Sequence, residues 1–157
     1  MMLCLIVGLS SAEKAKKKAD AESKRFPRVE IIKLNDQFTK FKCITSGWYV
    51  NVLGFDGPDG LVLVDTGFEG CAEELKKKIF KVFKKYPSYI INTHEHVDHT
   101  GANHMFGTKP VIIAHRQMRR HMVEKFILRE YGPESLPDIC FEDQMSLQIN
   151  GEEIVLR

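Results

Sequence analysis

The sequence predicts an α/β domain built on a mixed sheet, and three observations carry that expectation. Short β-branched and aromatic runs joined by polar turns fill residues 29–55, so the sheet starts as an antiparallel meander. A β-α-β pattern follows over residues 61–92, where the helix makes the crossover that parallel strands need. Three His and one Asp then fall between positions 94 and 99, at the strand edge where parallel sheets carry ligand-binding loops.

Size and charge narrow the reading. A chain of 157 residues with 43% hydrophobic content is sized for one domain with a real core. A formal net charge of +2, with its basic residues spread over helices and one N-terminal run, argues against nucleic acid as a partner. The four Cys, at positions 4, 43, 71 and 140, share no Cys-x-x-Cys spacing; a zinc ribbon or redox pair is not indicated, and free buried thiols are expected.

Residues 1–9 are almost wholly apolar and lead to the small residues Ser10-Ser11-Ala12, which reads as a signal peptide over residues 1–12. The run is too short for a stable membrane span and has no Lys or Arg before it. The protein is expected to be exported, periplasmic or secreted, if that leader functions, and cytoplasmic otherwise. Residues 13–28 form a Lys-rich stretch with too little apolar surface to offset chain entropy, and a disordered linker is expected. A polybasic membrane-surface anchor is the weaker alternative, because Glu13, Asp20 and Glu22 interrupt the charge.

The domain proper then runs over residues 29–157. Residues 29–34, 38–45 and 48–55 read as the meander, and the turn Asp56-Gly57-Pro58-Asp59-Gly60 leads into Leu61-Val62-Leu63-Val64, apolar on both faces as a central strand should be. Residues 69–86 are helical by period: Leu75, Ile79, Val82 and Phe83 form the apolar stripe, lysines cover the other face, and Pro87 is the expected stop. A strand over 89–92, a short helix over 100–106, a buried strand over 111–114 ending at His115, and a helix over 117–130 with Met118, Met122 and Phe126 on one stripe come next. A Pro/Gly loop over 131–137 precedes a hairpin, whose strands 145–149 and 152–156 join through Asn150-Gly151 and leave an open sheet edge suited to self-association.

In an extended backbone alternate side chains point the same way, so His94 and His96 can reach one cation, while Asp98 and His99, beyond the bend, can serve a second. Imidazole and carboxylate together suit zinc. Asp65, in Asp65-Thr66-Gly67 after the central strand, is a candidate support for that loop, and equally a turn former or helix cap. His115 ends a strand as His94 does and is placed near the mouth of the site; His104 and His121 read as helix-face residues.

At His94, His96, Asp98 and His99 the sequence resembles the metallo-β-lactamase superfamily, whose signature is His-x-His-x-Asp-His, and the run Val64-Asp65-Thr66-Gly67 is similar to the family as well. The resemblance runs from about residue 31 to 157. It implies the N-terminal half of an αββα sandwich, a mixed sheet with helices on one face, and a site for up to two zinc ions. In the family pattern a later His would join His94 and His96, another would join Asp98 and His99, and a late carboxylate would bridge the ions. Those positions would lie beyond Arg157, so a fragment of a longer enzyme is expected. The implied activity is hydrolysis of an ester, thioester, lactone or lactam bond in a small-molecule substrate, with Asp98 also orienting the nucleophile and handling its proton. The alternative is a non-catalytic metal-binding or protein-interaction module.

Overall fold

The structure is a computed structural model that describes residues 10–14, 16, 27–106, 110–124 and 127–157. The expected leader and linker fall mostly outside those residues. Within them Ser10 and Glu13 cap a helical turn reciprocally: Ser10 N–H donates to Glu13 Oε2 at 2.7 Å, and Glu13 N–H to Ser10 Oγ at 3.2 Å. Phe126 also lies outside the described residues. No helix among the described residues is long and apolar enough to cross a membrane.

Seven strands form one sheet in sequential order: β1 (Arg28–Lys33), β2 (Phe38–Ile44), β3 (Tyr49–Phe55), β4 (Val62–Val64), β5 (Tyr89–Ile91), β6 (Val111–His115) and β7 (Ile139–Phe141). β1 to β4 pair antiparallel and β4 to β7 pair parallel, so the sheet is mixed. The change of direction follows from the connections. Tight turns join the first strands, and α1 (Ala72–Phe83) supplies the crossover from β4 to β5.

Strand alternation sorts the core onto two faces. Phe41, Val52, Leu63, Ile90 and Ile112 point to the face covered by α1, where Leu75 and Ile79 are fully buried. Each such side chain contributes about 1.5–3 kcal/mol of burial. α3 (Arg116–Glu124) and α4 (Ile127–Tyr131) close the β6 end of the same face around Ala114, Met118, Met122 and Leu136. The opposite face, Phe55, Val62, Ile91 and Ile113, is covered by a separate antiparallel hairpin, β8 (Met145–Ile149) and β9 (Glu152–Leu156). Helices on one face and the start of a second sheet on the other make up the expected half-sandwich.

Several expected elements are displaced. The long first helix is shorter, preceded by a 3-10 turn at Glu69–Cys71 and ended by Lys84 in the left-handed region (φ 56°) before Pro87 is reached. Val82 is 36% exposed and not core, because at i+7 it sits at the margin of the Leu75–Ile79–Phe83 stripe. The short helix lies earlier than expected: α2 (Val97–Thr100) starts within the His cluster, with a 3-10 turn at Asn103–Met105 behind it. β7 falls between the expected Pro/Gly loop and the hairpin, where no element was expected, because three residues between Asp138 and Glu142 give no period until β6 offers its edge.

Asn150 fastens the hairpin to the sheet. Its N–H donates to Asp59 Oδ2 at 2.6 Å, its Oδ1 accepts Asp59 N–H at 2.9 Å, and its Nδ2 donates to Gly60 O at 2.9 Å. The residue is buried and left-handed, with φ 55°. Asn150→Gly keeps that backbone and is expected to lose about 1–3 kcal/mol in urea unfolding through the missing hydrogen bonds, and Asn150→Ala about 1 kcal/mol more through φ strain.

Candidate metal centre

Register brings the site together. Val64 on β4 pairs with Ile91 on β5, and Asp65 N–H donates to Ile91 O at 2.9 Å, so Asp65 and the Asn92-Thr93-His94 exit lie side by side at the C-terminal edge of the sheet. Asp65 takes a left-handed backbone (φ 61°) and is 4% exposed. Its Oδ1 accepts Thr93 N–H at 2.8 Å; its Oδ2 accepts the Thr93 hydroxyl at 2.8 Å and meets His99 Nδ1 at 2.7 Å.

Proton bookkeeping on these contacts fixes both tautomers. A carboxylate only accepts, so the proton between His99 and Asp65 sits on Nδ1 and leaves Nε2 as the nitrogen open to a ligand. Thr93 has one hydroxyl proton and gives it to Asp65. The 2.9 Å contact between Thr93 Oγ1 and His94 Nδ1 therefore takes its proton from His94, which also keeps an Nε2 lone pair. An imidazole held at one nitrogen by an outer partner, with its other nitrogen open, is the arrangement metal-binding His residues use.

Three rings gather there. His94 lies 4.0 Å from His99 and 4.8 Å from His96, centroid to centroid. Asp98 and His99 reach the cluster from α2, and Asp98 Oδ2 stands 3.5 Å from His99 Nε2, too far for a hydrogen bond. Two donors on one tetrahedral zinc stand roughly 3.3 Å apart, so this spacing fits a shared ion. Desolvation holds the His94 imidazole below its ordinary pKa, with the nearby His99 and His96 adding to the effect and Asp65 and Asp98 opposing it. The neutral, ligating form of that ring is thereby favoured. Among the described residues no three His, Cys, Asp or Glu side chains converge as one cation cage. The donors suit zinc in type and come as pairs, not as a complete cage.

Gly101 lets α2 rest on the Asp65 loop. A Cβ there would stand 2.4 Å from Val97 O and 3.1 Å from Glu69 N, so no larger residue fits without moving backbone.

The other histidines make contacts around the cluster and are not among its paired donors. His115 bonds the Glu142 carbonyl through Nε2 and accepts Gln117 N–H at Nδ1, 3.2 Å. It lines, with Asn92, Thr93, Phe141 and Ile154, a cleft of about 300 Å³ at the foot of the loop. His104 stacks on Tyr131 at 5.0 Å, and His121 Nδ1 lies 3.4 Å from Glu95 Oε1.

Sequence reasoning did not single out the buried amide beneath the loop. Asn103 is 2% exposed; its Nδ2 donates to Asn92 Oδ1 and to Ser135 O, both at 2.9 Å. Its Oδ1 accepts Thr66 Oγ1–H at 2.9 Å and Asn92 Nδ2–H at 3.3 Å. Thr66 shares that hydroxyl proton with His99 O at 3.1 Å and donates its own N–H to the same carbonyl at 2.8 Å. Asn103 thus ties the exits of β4 and β5, and the turn at Pro133–Ser135, to the backbone of the cluster. The available signal was a polar residue inside an otherwise small and apolar turn, Gly101-Ala102-Asn103.

Comparisons with known proteins agree with this geometry. The sequence model of the metallo-beta-lactamase superfamily matches residues 45–144. A metallo-beta-lactamase from Pontibacter korlensis is similar in structure with a TM-score of 0.65 at 22% identity, over 80% of this chain and 58% of that chain. The FIM-1 metallo-beta-lactamase from Pseudomonas aeruginosa, in a mono-zinc form, gives 0.55 at 19%, over 78% and 55%. A flavo di-iron protein variant from Thermotoga maritima gives 0.66 at 18%, over 82% and 36%. At these identities the structures show the fold, and this chain spans just over half the length of the metallo-beta-lactamases. No curated protein matches.

Asn103→Leu is expected to strand the Asn92 amide and the Ser135 carbonyl and to leave the Thr66 hydroxyl only the His99 carbonyl, lowering stability by about 3 kcal/mol in thermal or urea unfolding. A loss below about 1 kcal/mol would show that the network is not the support described.

Proposed function

The chain belongs to the metallo-beta-lactamase superfamily, and from that premise we propose that it carries the histidine-rich half of a zinc-dependent hydrolase acting on an ester, thioester, lactone or lactam bond. The observation that supports the reading is the outward pair of Nε2 lone pairs on His94 and His99, set by Thr93 and Asp65, beside the carboxylate of Asp98. His94 and His96 would hold one ion; Asp98 and His99 would hold another. When bound, zinc supplies Lewis acidity toward a carbonyl oxygen and lowers the pKa of water in its reach. Asp98, with a 38% exposed side chain, would orient an attacking water and take its proton on Oδ. Asp65, behind His99, holds that ring's proton on Nδ1. The apolar cleft beside Thr93 and His115 would seat the acyl part of a small substrate. The activity is proposed for the domain completed to the length of its structural relatives.

A second reading, a non-catalytic metal-binding or interaction module, is supported by the pairwise arrangement of donors. Each ion would receive two protein ligands from the described residues, where a catalytic zinc usually has three. The hairpin edge would then pair with another chain.

Metal analysis separates the readings. The completed domain is expected to bind one to two zinc ions, to lose hydrolysis with a chelator, and to lose about 10- to 100-fold in zinc affinity on Asp65→Asn, which leaves His99 Nδ1–H a weaker acceptor. Hydrolysis untouched by His96→Ala and by chelation would sink the hydrolase reading. Because the flavo di-iron protein shares the fold, iron is assayed beside zinc.

A further inference from the structure

Two thiols meet beneath the Asp65 loop. Cys43 comes from β2 and Cys71 from the 3-10 turn ahead of α1, and both are fully buried and free. A Cβ built on Gly67 would stand 2.9 Å from Cys71 Sγ and 3.3 Å from Cys43 Sγ, so both sulfurs converge on one point of the chain. Gly67 sits there with φ 74°. Cys71 Sγ–H donates to Phe68 O at 3.0 Å. Proximity to the Cys71 sulfur pushes Cys43 far above the usual thiol range, with burial and the Cys71 charge adding, while proximity to Cys43 holds Cys71 below that range against its burial. Sequence spacing gave no redox pair, because the partners are distant along the chain and only the fold brings them together.

We propose that Cys43 and Cys71 are a peroxide-sensitive pair that closes to a disulfide, tethering β2 to the turn behind the Asp65 loop. The Cys71 thiolate attacks one peroxide oxygen; the O–O bond breaks, Cys71 becomes a sulfenic acid, and hydroxide leaves to be protonated to water. The Cys43 sulfur then attacks Cys71 Sγ, the S–O bond breaks, and a second water leaves with the Cys43 proton. Two thiols thereby lose two electrons and two protons, and one peroxide becomes two waters. Burial selects this oxidant, since peroxide is near water in size and bulkier disulfides are excluded. It also leaves the sulfenic acid one neighbour to react with.

The test treats the folded full chain with graded hydrogen peroxide, then denatures, alkylates and maps peptides by mass. The expected product joins the Cys43 and Cys71 peptides, disappears on reduction, and removes two of the four thiols from alkylation. Cys140→Ser should keep the crosslink, and Cys71→Ser should leave Cys43 alkylatable. The thermal midpoint should rise on oxidation of the wild type and not of Cys71→Ser. If Cys71→Ser does not fold, the wild-type and Cys140→Ser maps decide alone. The proposal is overturned if Cys43 and Cys71 both alkylate at doses that oxidise the partly exposed Cys140. Pairing of either with Cys4 or Cys140, or accumulation of Cys71 as an uncrosslinked sulfonic acid, overturns it equally.

Discussion

The carboxylate of Asp65 is the constraint on which the cluster depends. A buried carboxylate is costly unless every lone pair it presents finds a donor, and here the donors are Thr93 N–H, Thr93 O–H and His99 Nδ1–H. A non-glycine residue in the left-handed region costs about 1–2 kcal/mol more, so the position holds only because its surroundings over-determine it. Parallel pairing of β4 with β5 sets the height of Asp65 against Thr93, and the two Thr66 bonds to the His99 carbonyl set its depth. Loop conformation, ring orientation and tautomer are therefore consequences of one strand register.

That register depends in turn on cover for both faces of the sheet. The helix face is closed: Leu75 and Ile79 pack on Phe41, Leu63 and Ile90 without residual exposure. The other face relies on a two-stranded hairpin whose Val155 is 42% exposed, and which is tied to the β3–β4 turn through Asn150 and Asp59. β4 and β5 contribute Val62 and Ile91 to this less complete side, directly below the residues that carry the site. The hairpin thus bears on the cluster through the sheet and, at Ile154, shares a cleft with Asn92 and Thr93.

Much of this was legible in residue order. Alternating apolar residues placed the strands, and the twofold period of an extended chain paired His94 with His96. The parts that escaped are those in which distant segments decide local structure. Ile139-Cys140-Phe141 becomes a strand because β6 has a free edge, and Val97-Asp98-His99-Thr100 becomes helical because Gly101 packs on Phe68 and Glu69. Asp65 was readable as either cap or support, and register made it a support. Asn103 carried no periodic signal, since its amide is satisfied by four groups from three separated segments.

Charge balance links the loop to the cation. Asp65 has one ion-pair partner among the described residues, His99, with no Lys or Arg beside it. With its proton on Nδ1 directed at Asp65, His99 presents Nε2 as the nitrogen open to a cation. A cation at Nε2 would polarise the ring, strengthen the 2.7 Å bond to Asp65 and supply the countercharge that the buried carboxylate lacks. The same cation would draw Asp98 and His99 together across their 3.5 Å gap. Under the proposed function, metal binding and loop order are then one equilibrium: whatever stabilises Asp65 in its left-handed position raises metal affinity, and bound metal stabilises that position by the same free energy.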